Sequence, residues 1–257
     1  MRKSQTEIIN KVLNEDCLDY LKRIDDQSVD LILIDPPYNE LPKTWDNFKS
    51  WAQIKPLFKK ILKNNGQLYI FGKQPMLSDI YAEFKEDFKF RFELVWNKNK
   101  GMWSSNSMPM RSHELIWCFC KKETAIGDLF FDIESIKTPG EPYIRKNKIT
   151  STIRNNWKAN HTIEKDGNRF PLSVINQKQV IRRNVPRGEK HPTEKPLPIL
   201  EWIVKSSCPE DGLVLDCFMG SGSTALAAKA NGRNFLGCEI DSNYHKLANK
   251  RIKETLF

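Results

Sequence analysis

The stretch LVLDCFMGSGST, residues 213–224, decides the fold of this 257-residue chain. Its apolar start predicts a buried strand, and the small residues that follow Gly222 predict the beginning of a helix. Gly220 and Gly222 have no Cβ, so a ligand can approach the backbone closely there. A dinucleotide fingerprint would have a third glycine where Ala225 stands, and a phosphate-binding P-loop would have a lysine after its last glycine. The stretch therefore predicts an α/β fold with a ligand site of another kind.

The segment NFLGCE, residues 234–239, predicts a second strand that ends in an acid. In α/β folds with a Gly-rich turn, an acid about 20 residues further on, at the end of the next strand, binds ribose hydroxyls. Glu239 occupies that position. We therefore expect a ligand that carries a ribose at the carboxyl ends of these two strands.

A second motif, Asp35-Pro36-Pro37-Tyr38, follows the apolar run VDLILI at residues 29–34. The run predicts a buried strand, and open α/β sheets bind ligands at the carboxyl ends of their strands. The prolines restrict the backbone, which leaves a rigid corner with one carboxylate, carbonyl acceptors and one aromatic ring. These groups fit an exocyclic amino group on a planar base, because the oxygens accept its N–H bonds and the ring stacks on the base.

Both motifs are similar to the signatures of one known family, the S-adenosylmethionine-dependent amino-methyltransferases of DNA. That family carries D-P-P-Y and D-x-F-x-G-x-G elements, and D-P-P-Y comes first here, an order that resembles the circularly permuted β group. The chain resembles in particular the adenine-N6 methyltransferases of MboII-type restriction–modification systems. HPTEKP at residues 191–196 resembles the family's H-P-T-x-K-P element, and NEDCL at residues 14–18 resembles its G-D-x-L element, with Glu15 in place of glycine.

The resemblance covers the chain except residues 124–190, and it implies an α/β, Rossmann-like methyltransferase fold. The expected sheet is mostly parallel and seven-stranded, with helices on both faces. Residues 1–123 and 191–257 are expected to form the catalytic and cofactor-binding domain, and residues 124–190 an inserted basic target-recognition region. The alternation of strand and helix patterns agrees with this fold class. The permuted order further places the helix after Glu239 beside an N-terminal strand at residues 8–13.

The resemblance also implies the cofactor, S-adenosyl-L-methionine, and the residues of the site. The expected catalytic residues are Asp35, Pro36, Pro37 and Tyr38. The expected cofactor-binding residues are Asp16, Cys17, Asp35, His191, Thr193, Lys195, Asp216, Phe218, Gly220, Ser221, Gly222, Ser223, Thr224 and Glu239. Among them, the resemblance assigns Asp16 to the adenine, Glu239 to the ribose, and Asp216 and Ser221 to the amino and carboxylate ends. His191, Thr193 and Lys195 are expected to face the carboxylate. No metal site is predicted.

The D-P-P-Y corner indicates how an amino group would react. The lone pair of an exocyclic aromatic amine is delocalised into the ring, so the amine is a poor nucleophile. Hydrogen bonds from its N–H groups to the Asp35 carboxylate and the Pro36 carbonyl would favour a pyramidal nitrogen that attacks a sulfonium methyl in line. The target base must first flip out of the duplex, which costs roughly a few kcal/mol, and Tyr38 would stack on it.

The positive charge of the chain is concentrated in one segment. Residues 137–190 hold 13 Lys and Arg against 4 Asp and Glu, which accounts for the whole net charge of +9. A localised basic segment is the electrostatic signature of phosphate-backbone binding, so double-stranded DNA is the predicted partner. The alternative is a solvated basic loop. The candidate nucleic-acid-binding residues are Arg154, Arg169, Arg182, Arg183 and Arg187.

Composition bears on location and on further partners. The chain has no run of about 18 apolar residues, so no membrane partner is expected. Its six cysteines lack zinc-site spacing, which favours reduced thiols in a cytoplasmic protein. The resemblance implies a cognate restriction endonuclease as a functional partner, and a homodimer.

Two alternatives to adenine-N6 transfer stay open. A cytosine-N4 methyltransferase would use the same corner, although the family's cytosine members more often carry serine where Asp35 stands. A DNA-binding protein that keeps a catalytically silent methyltransferase fold is the non-enzymatic alternative. It is disfavoured because every expected catalytic residue is present.

Overall fold

The computed structural model describes residues 4–38, 48, 51–102, 106–146, 162–165, 167–180 and 193–255. Within these ranges the helices are α1 Gln5–Ile8, α2 Cys17–Leu21, α3 Trp51–Ile61, α4 Met76–Phe84, α5 Leu197–Ser207, α6 Ser223–Ala230 and α7 Ser242–Glu254. The strands are β1 Lys11–Leu13, β2 Val29–Ile34, β3 Leu62–Gly72, β4 Phe88–Met102, β5 Arg111–Lys121, β6 Tyr143–Lys146, β7 Thr162–Lys165, β8 Val174–Asn176, β9 Leu213–Asp216 and β10 Asn234–Cys238. No helix in these ranges is long and apolar enough to cross a membrane.

In the described part of the chain, the main sheet has eight strands in the order β1-β10-β9-β2-β3-β5-β4-β8. The first five strands are parallel, β5 is antiparallel to both β3 and β4, and β8 is parallel to β4. The mostly parallel sheet is confirmed, but the predicted number of seven strands is wrong. The eighth strand, β8, comes from residues 124–190. The Trp96 indole donates to the carbonyl of Gln177 at 2.6 Å and so helps to hold β8 at the edge of the sheet.

Helices cover both faces of the sheet, as predicted. All six residues of β2 are buried, as expected for a central parallel strand. Ile32 and Ile34 pack into one hydrophobic cluster, while Leu31 and Leu33 pack into a second cluster on the other face. The first cluster receives from α1 to α4 the side chains Ile8, Tyr20, Phe58 and Phe84. The second receives from α5 to α7 the side chains Ile203, Ala227 and Ala248.

The N-terminal strand lies beside the helix that follows Glu239, as the permuted motif order predicts, but this strand begins at Lys11 and Ile8 belongs to the helix α1. β1 pairs in parallel with β10, with Leu13 opposite Cys238. The final helix α7 packs on β1, and the His245 ring nitrogen Nε2 lies 3.0 Å from the carbonyl oxygen of Val12. The two ends of the described chain therefore join into one continuous sheet.

Strand register brings the sequence motifs to a single edge of the sheet. Ile32 pairs with Leu215, and Asp216 pairs with Gly237. The corner after β2, the Gly-rich turn after β9 and the acid after β10 therefore share the carboxyl edge of the parallel strands. β5 runs in the opposite direction, and Leu115 pairs with Gly72, so Glu114 reaches the same edge from the start of its strand.

The first part of residues 124–190 packs on the core of the main sheet. The Gln67 amide donates to the carbonyl of Phe130 at 2.6 Å, and the Asp132 amide donates to the carbonyl of Ser206 at 2.8 Å. Ile136 is buried. This stretch is therefore tied to β3 and α5, while β6 and β7 form a separate two-stranded sheet.

Candidate active site

The D-P-P-Y corner presents its carboxylate between two donors. Lys195 donates from Nζ to Oδ2 of Asp35 at 2.5 Å, and the Tyr38 hydroxyl donates to Oδ1 at 3.0 Å. The Asp35 side chain is 22% exposed, and Pro36 behind it is buried. The carboxylate is thus held in orientation while part of it still faces solvent.

Lys195 belongs to a chain of alternating buried charges. Its Nζ also lies 3.3 Å from Oε2 of Glu114, and the ammonium of Lys98 contacts the other oxygen of Glu114. Burial disfavours the charge of Lys195, but Asp35 and Glu114 outweigh burial and raise its pKa. Burial likewise disfavours the charge of Glu114, yet the two lysines lower the pKa of that carboxyl. Burial raises the pKa of Asp35, with Lys195 opposing it.

Asp216, at the end of β9, is a buried carboxyl beside the Gly-rich turn. It accepts a hydrogen bond from the Phe218 amide at 2.9 Å. Burial raises its pKa to about 7, although a hydrogen bond from Thr224 works in the other direction. Near neutral pH this carboxyl is therefore divided between its protonated and its ionised form. The Phe218 ring itself packs edge-to-face on Phe48, with 5.1 Å between centroids.

The two glycines of the turn share a backbone conformation that side chains rarely adopt. Both adopt positive φ, +52° at Gly220 and +81° at Gly222. A Cβ on Gly222 would lie 3.1 Å from Cα and Cβ of Ala248 in α7. The absence of a side chain at Gly222 therefore permits the close packing of α7 against the turn. The approach of a ligand to the backbone at the two glycines stays a prediction.

Glu239 fixes the Gly-rich turn to the end of β10. Its Oε2 accepts the Gly220 amide at 2.7 Å, and its Oε1 accepts the Asp241 amide at 2.8 Å. The residue is buried, and burial raises the pKa of its carboxyl. The predicted ribose-binding acid thus also holds the turn that follows the neighbouring strand.

Asp16 and Cys17 lie at the start of α2. The Asp16 carboxylate caps this helix by accepting the Leu18 amide at 2.8 Å. Cys17 is buried, and burial, together with the charge of Asp16, raises the pKa of its thiol to about 12. The thiol therefore stays protonated, and it packs as an apolar group in the first hydrophobic cluster. All six cysteines are free and buried.

Two residues of the HPTEKP element, Glu194 and Lys195, contact different parts of the site. Glu194 pairs with Arg251 of α7 at 2.6 Å, and Arg251 donates to the carbonyl of Ser221 at 2.5 Å. This link ties the element to the Gly-rich turn, where the hydroxyls of Ser221 and Ser223 are 3.1 Å apart. Thr193 is exposed, and His191 lies outside the described residues. Lys195, which was expected to face the cofactor, reaches Asp35.

One of the five candidate nucleic-acid-binding arginines lies in the described part of the chain. Arg169 donates to the carbonyl oxygens of Gly167 at 2.5 Å and Glu141 at 3.2 Å, so part of its guanidinium stabilises a turn. Arg154, Arg182, Arg183 and Arg187 lie outside the described residues. Their role in binding DNA stays a prediction.

Sequence reasoning missed Glu114, Lys98 and Arg251. Glu114 comes directly before the apolar run LIWCFC at residues 115–120. An acid at the end of a buried strand was the signal that identified Asp35, and the same signal at the beginning of an antiparallel strand could have identified Glu114. Lys98 and Arg251 carry no comparable signal in the sequence.

The comparisons with known proteins agree with this fold. Residues 29–250 match the family model described as DNA methylase, of the N6 and N4 type. The chain therefore belongs to the N6/N4 DNA methylase family. It is 32% identical over 254 residues to the type II methyltransferase M1.MboII of Moraxella bovis, which covers 94% of this chain and 95% of that protein. The predicted resemblance to MboII-type DNA methyltransferases is confirmed.

Two solved structures share the fold. The crystal structure of the M1.HpyAVI-SAM complex superposes with a TM-score of 0.60 at 24% identity, over 94% of this chain and 98% of that one. The PvuII DNA methyltransferase, which is cytosine-N4-specific, superposes with a TM-score of 0.65 at 16% identity, over 94% of this chain and 87% of that one. These likenesses confirm the Rossmann-like methyltransferase fold.

Proposed function

We propose that this chain is a site-specific DNA methyltransferase that transfers a methyl group from S-adenosylmethionine to the N6 amino group of an adenine flipped out of the duplex. The observation that carries the proposal is the oriented carboxylate of Asp35, which shares one edge of the sheet with Asp216 and Glu239. Family membership supports DNA as the methylated substrate.

The donor set fits S-adenosylmethionine. Two buried carboxyls, Asp216 and Glu239, end the neighbouring strands β9 and β10 and flank a turn that has positive φ at Gly220. Such carboxyls suit a ligand with a cationic amino group and ribose hydroxyls. The cofactor would be held by these two residues together with Asp16 and Ser221. When bound, it supplies an electrophilic methyl group on a sulfonium. The crystal structure of the M1.HpyAVI-SAM complex, which shares this fold, supports S-adenosylmethionine as the cofactor.

The D-P-P-Y corner would activate the target amine. Asp35 and the Pro36 carbonyl accept the two N–H bonds of the amine, which frees the nitrogen lone pair for attack. Acceptors fixed in advance stabilise the positive charge that grows on the nitrogen. Holding the amine in line adds to the rate, because the reacting groups no longer have to find their orientation. The Tyr38 ring would stack on the flipped base, and Asp35 or water reached through it would accept the released proton.

The basic residues between 137 and 190 would hold the DNA backbone. The catalytic domain in this proposal comprises residues 1–123 and 191–257, and the target-recognition region lies within residues 124–190. Residues 124–136 pack on the core, so we place the DNA-contacting part after them. A homodimer, a cognate restriction endonuclease and a cytoplasmic location remain predictions from the resemblance and the sequence.

The raised pKa of Asp216 gives a test of cofactor binding. Its carboxyl has a pKa of about 7, and a cationic amino group placed nearby would favour the ionised form. We expect S-adenosylmethionine to displace a proton from Asp216, so that its affinity falls as the pH drops from about 8 to about 6. Calorimetry in two buffers with different ionisation enthalpies measures that proton. The Asp216→Asn variant should lose this contribution; a proton balance identical to the wild type would contradict the assignment.

The basic segment gives a test of DNA binding. Neutralising Arg182 and Arg183 as glutamines should weaken binding and reduce the slope of log affinity against log salt by about 0.9 for each phosphate that is no longer neutralised. Fluorescence anisotropy with a labelled duplex at several salt concentrations measures the slope. Glutamines at Lys22 and Lys122, exposed lysines outside this segment, provide the control. An unchanged slope in the arginine variant would place the phosphate-binding residues elsewhere.

The experiment that tests the proposed function is the transfer of labelled methyl from S-adenosylmethionine to long DNA that carries no methylated adenine or cytosine. RNA of the same sequence is the comparison. We expect label in the DNA only. Cofactor binding without transfer to either polymer would favour the catalytically silent alternative, and label in RNA would overturn the proposed substrate. The cytosine-N4 alternative predicts label in DNA as N4-methylcytosine.

A further inference from the structure

Lys195 lies between two carboxylates that come from different parts of the sheet. Its ammonium is 2.5 Å from Oδ2 of Asp35, after β2, and 3.3 Å from Oε2 of Glu114, on β5. The Lys195 side chain is 7% exposed and that of Glu114 is 13% exposed. Lys98 contacts Glu114 on its far side and lies over the Trp96 ring, 4.9 Å from the centroid. The candidate catalytic carboxylate thus ends a line of four alternating charges.

Burying this line of charges costs free energy, and the sheet does not need the line to hold its strands together. Taking ions out of water is expensive, and a buried ion pair often contributes less stability than well-packed apolar side chains of similar size. Hydrophobic clusters on both faces and continuous strand pairing already hold β2, β3 and β5 together. The line ends on Asp35, so its effect falls on the carboxylate that would receive the target amine.

Lys195 binds one of the two carboxylate oxygens of Asp35 and leaves the other oxygen available to accept a hydrogen bond from the target amine. Oδ2 is occupied by the ammonium, whereas Oδ1 receives the Tyr38 hydroxyl at 3.0 Å. A carboxylate oxygen can accept more than one hydrogen bond, so Oδ1 keeps the capacity to accept a bond from the amino group of the flipped base. Lys195 stops the carboxylate from rotating, because rotation would break the 2.5 Å contact.

We propose that Lys195 is a positioning residue for methyl transfer, which orients the Asp35 carboxylate and keeps it ionised, and that Glu114 is the counter-ion that sets the strength of this effect. The inference rests on the proposed function of Asp35 as acceptor for the amine. It changes the expected role of Lys195 from contact with the cofactor carboxylate to control of the catalytic carboxylate.

Several charged and titratable groups surround Asp35 in the described part of the chain. They are Tyr38 in the same corner, Lys73 after β3, Lys98 on β4, Arg111 and Glu114 on β5, Lys195 before α5 and Asp216 on β9. Burial raises the pKa of Asp35, Lys195 lowers it, and Glu114 raises it. Lys195 and Glu114 therefore act on Asp35 with opposite signs.

The test is the pH dependence of single-turnover methyl transfer to DNA, measured with saturating cofactor on the full-length chain. Lys195→Met removes the positive charge, so the acidic limb of the profile should move up by about one pH unit or more, as expected for a carboxylate that loses an adjacent cation. Glu114→Gln removes a negative charge and should move the limb down. Lys195→Arg should restore most of the limb position, although its bulkier guanidinium lowers the plateau rate.

The matched control is Lys63→Met. Lys63 also pairs with an aspartate of the β2 segment, Asp30, at 2.8 Å, but this pair lies away from the carboxyl edge. The Lys63→Met variant should unfold at a lower temperature, while the acidic limb of its pH–rate profile should lie at the same pH as in the wild type. A general loss of stability would shift the acidic limb in the same direction in all variants. Opposite shifts in the Lys195 and Glu114 variants would therefore show that the two charges act on Asp35 electrostatically.

Three results are informative. Opposite shifts, with cofactor affinity within a few-fold of the wild type, support the inference. A Lys195→Met variant with a higher KM for S-adenosylmethionine and an unshifted limb would overturn it and return Lys195 to the cofactor site. A wild-type chain that transfers no methyl group at any pH would instead contradict the proposed function itself.

Discussion

Asp35→Ala is expected to lower the single-turnover rate of methyl transfer by about 10³-fold or more and to leave the affinity for S-adenosylmethionine within a few-fold of the wild type. The physical reason is that the carboxylate acts on charge that develops on the amine nitrogen, and removing one preorganised group of this kind costs about 10²–10³ in rate. The rate falls further because the amine loses the hydrogen-bond acceptor that helps to free the lone pair of its nitrogen. Rapid-quench transfer to DNA gives the rate, and calorimetry gives the affinity.

Asp30→Ala is the matched control for this variant. Asp30 lies within β2, is buried, pairs with Lys63 and accepts the Leu213 amide at 2.9 Å. Its loss leaves a buried amide unsatisfied, which costs about 1–3 kcal/mol of stability, but the rate per folded molecule should be kept. An Asp35→Ala variant with near wild-type rate would show that the corner does not act through its carboxylate.

Glu239→Ala is expected to raise the dissociation constant for S-adenosylmethionine by about 100-fold. The change removes the carboxylate that would bind the ribose and leaves the amides of Gly220 and Asp241 without their acceptor. A buried donor left unsatisfied costs about 1–3 kcal/mol. In the variant the turn would relax in the free protein, so this cost would have to be met when the cofactor binds. Each 1.4 kcal/mol of such a cost lowers the affinity about tenfold. Calorimetry with S-adenosylmethionine measures the constant.

The control for Glu239 lies two residues further along the chain. Asp241 caps α7 by accepting the amides of Asn243 and Tyr244. Asp241→Ala should cost about 1 kcal/mol of stability, as is usual for loss of a helix cap, with little effect on cofactor affinity. Equal losses of affinity in the two variants would mean that Glu239 acts through the local fold alone. An unchanged affinity in Glu239→Ala would remove this residue from the cofactor site.

The parts of the structure that the sequence predicts are those whose signal is local. The apolar run at Val29–Ile34 and the prolines that follow it define β2 and its corner within ten residues. The Gly-rich turn and Glu239 are likewise local patterns, and parallel strands then bring them to one edge. The fold class could be predicted because these patterns repeat along the chain.

The parts that could not be predicted depend on pairing between distant residues. Glu114 meets Lys195 only because β5 runs antiparallel to β3 in one register, with Leu115 opposite Gly72. The strand β8 has three residues, too few to show a period, and the distant Trp96 helps to hold it in the sheet. The contact between Gly222, the residue before α6, and Ala248 in α7 also joins distant parts of the chain, so no pattern in the sequence indicates it.

The identity of the methylated nucleoside separates adenine-N6 transfer from the cytosine-N4 and the catalytically silent alternatives. The chain is incubated with S-adenosylmethionine and long duplex DNA that lacks adenine and cytosine methylation, and the DNA is digested to nucleosides for mass spectrometry. We expect N6-methyladenine with the wild-type chain and none with Asp35→Ala. N4-methylcytosine as the sole product would contradict the proposed target base, and an absence of methylated nucleosides from the wild-type reaction would contradict the proposed activity.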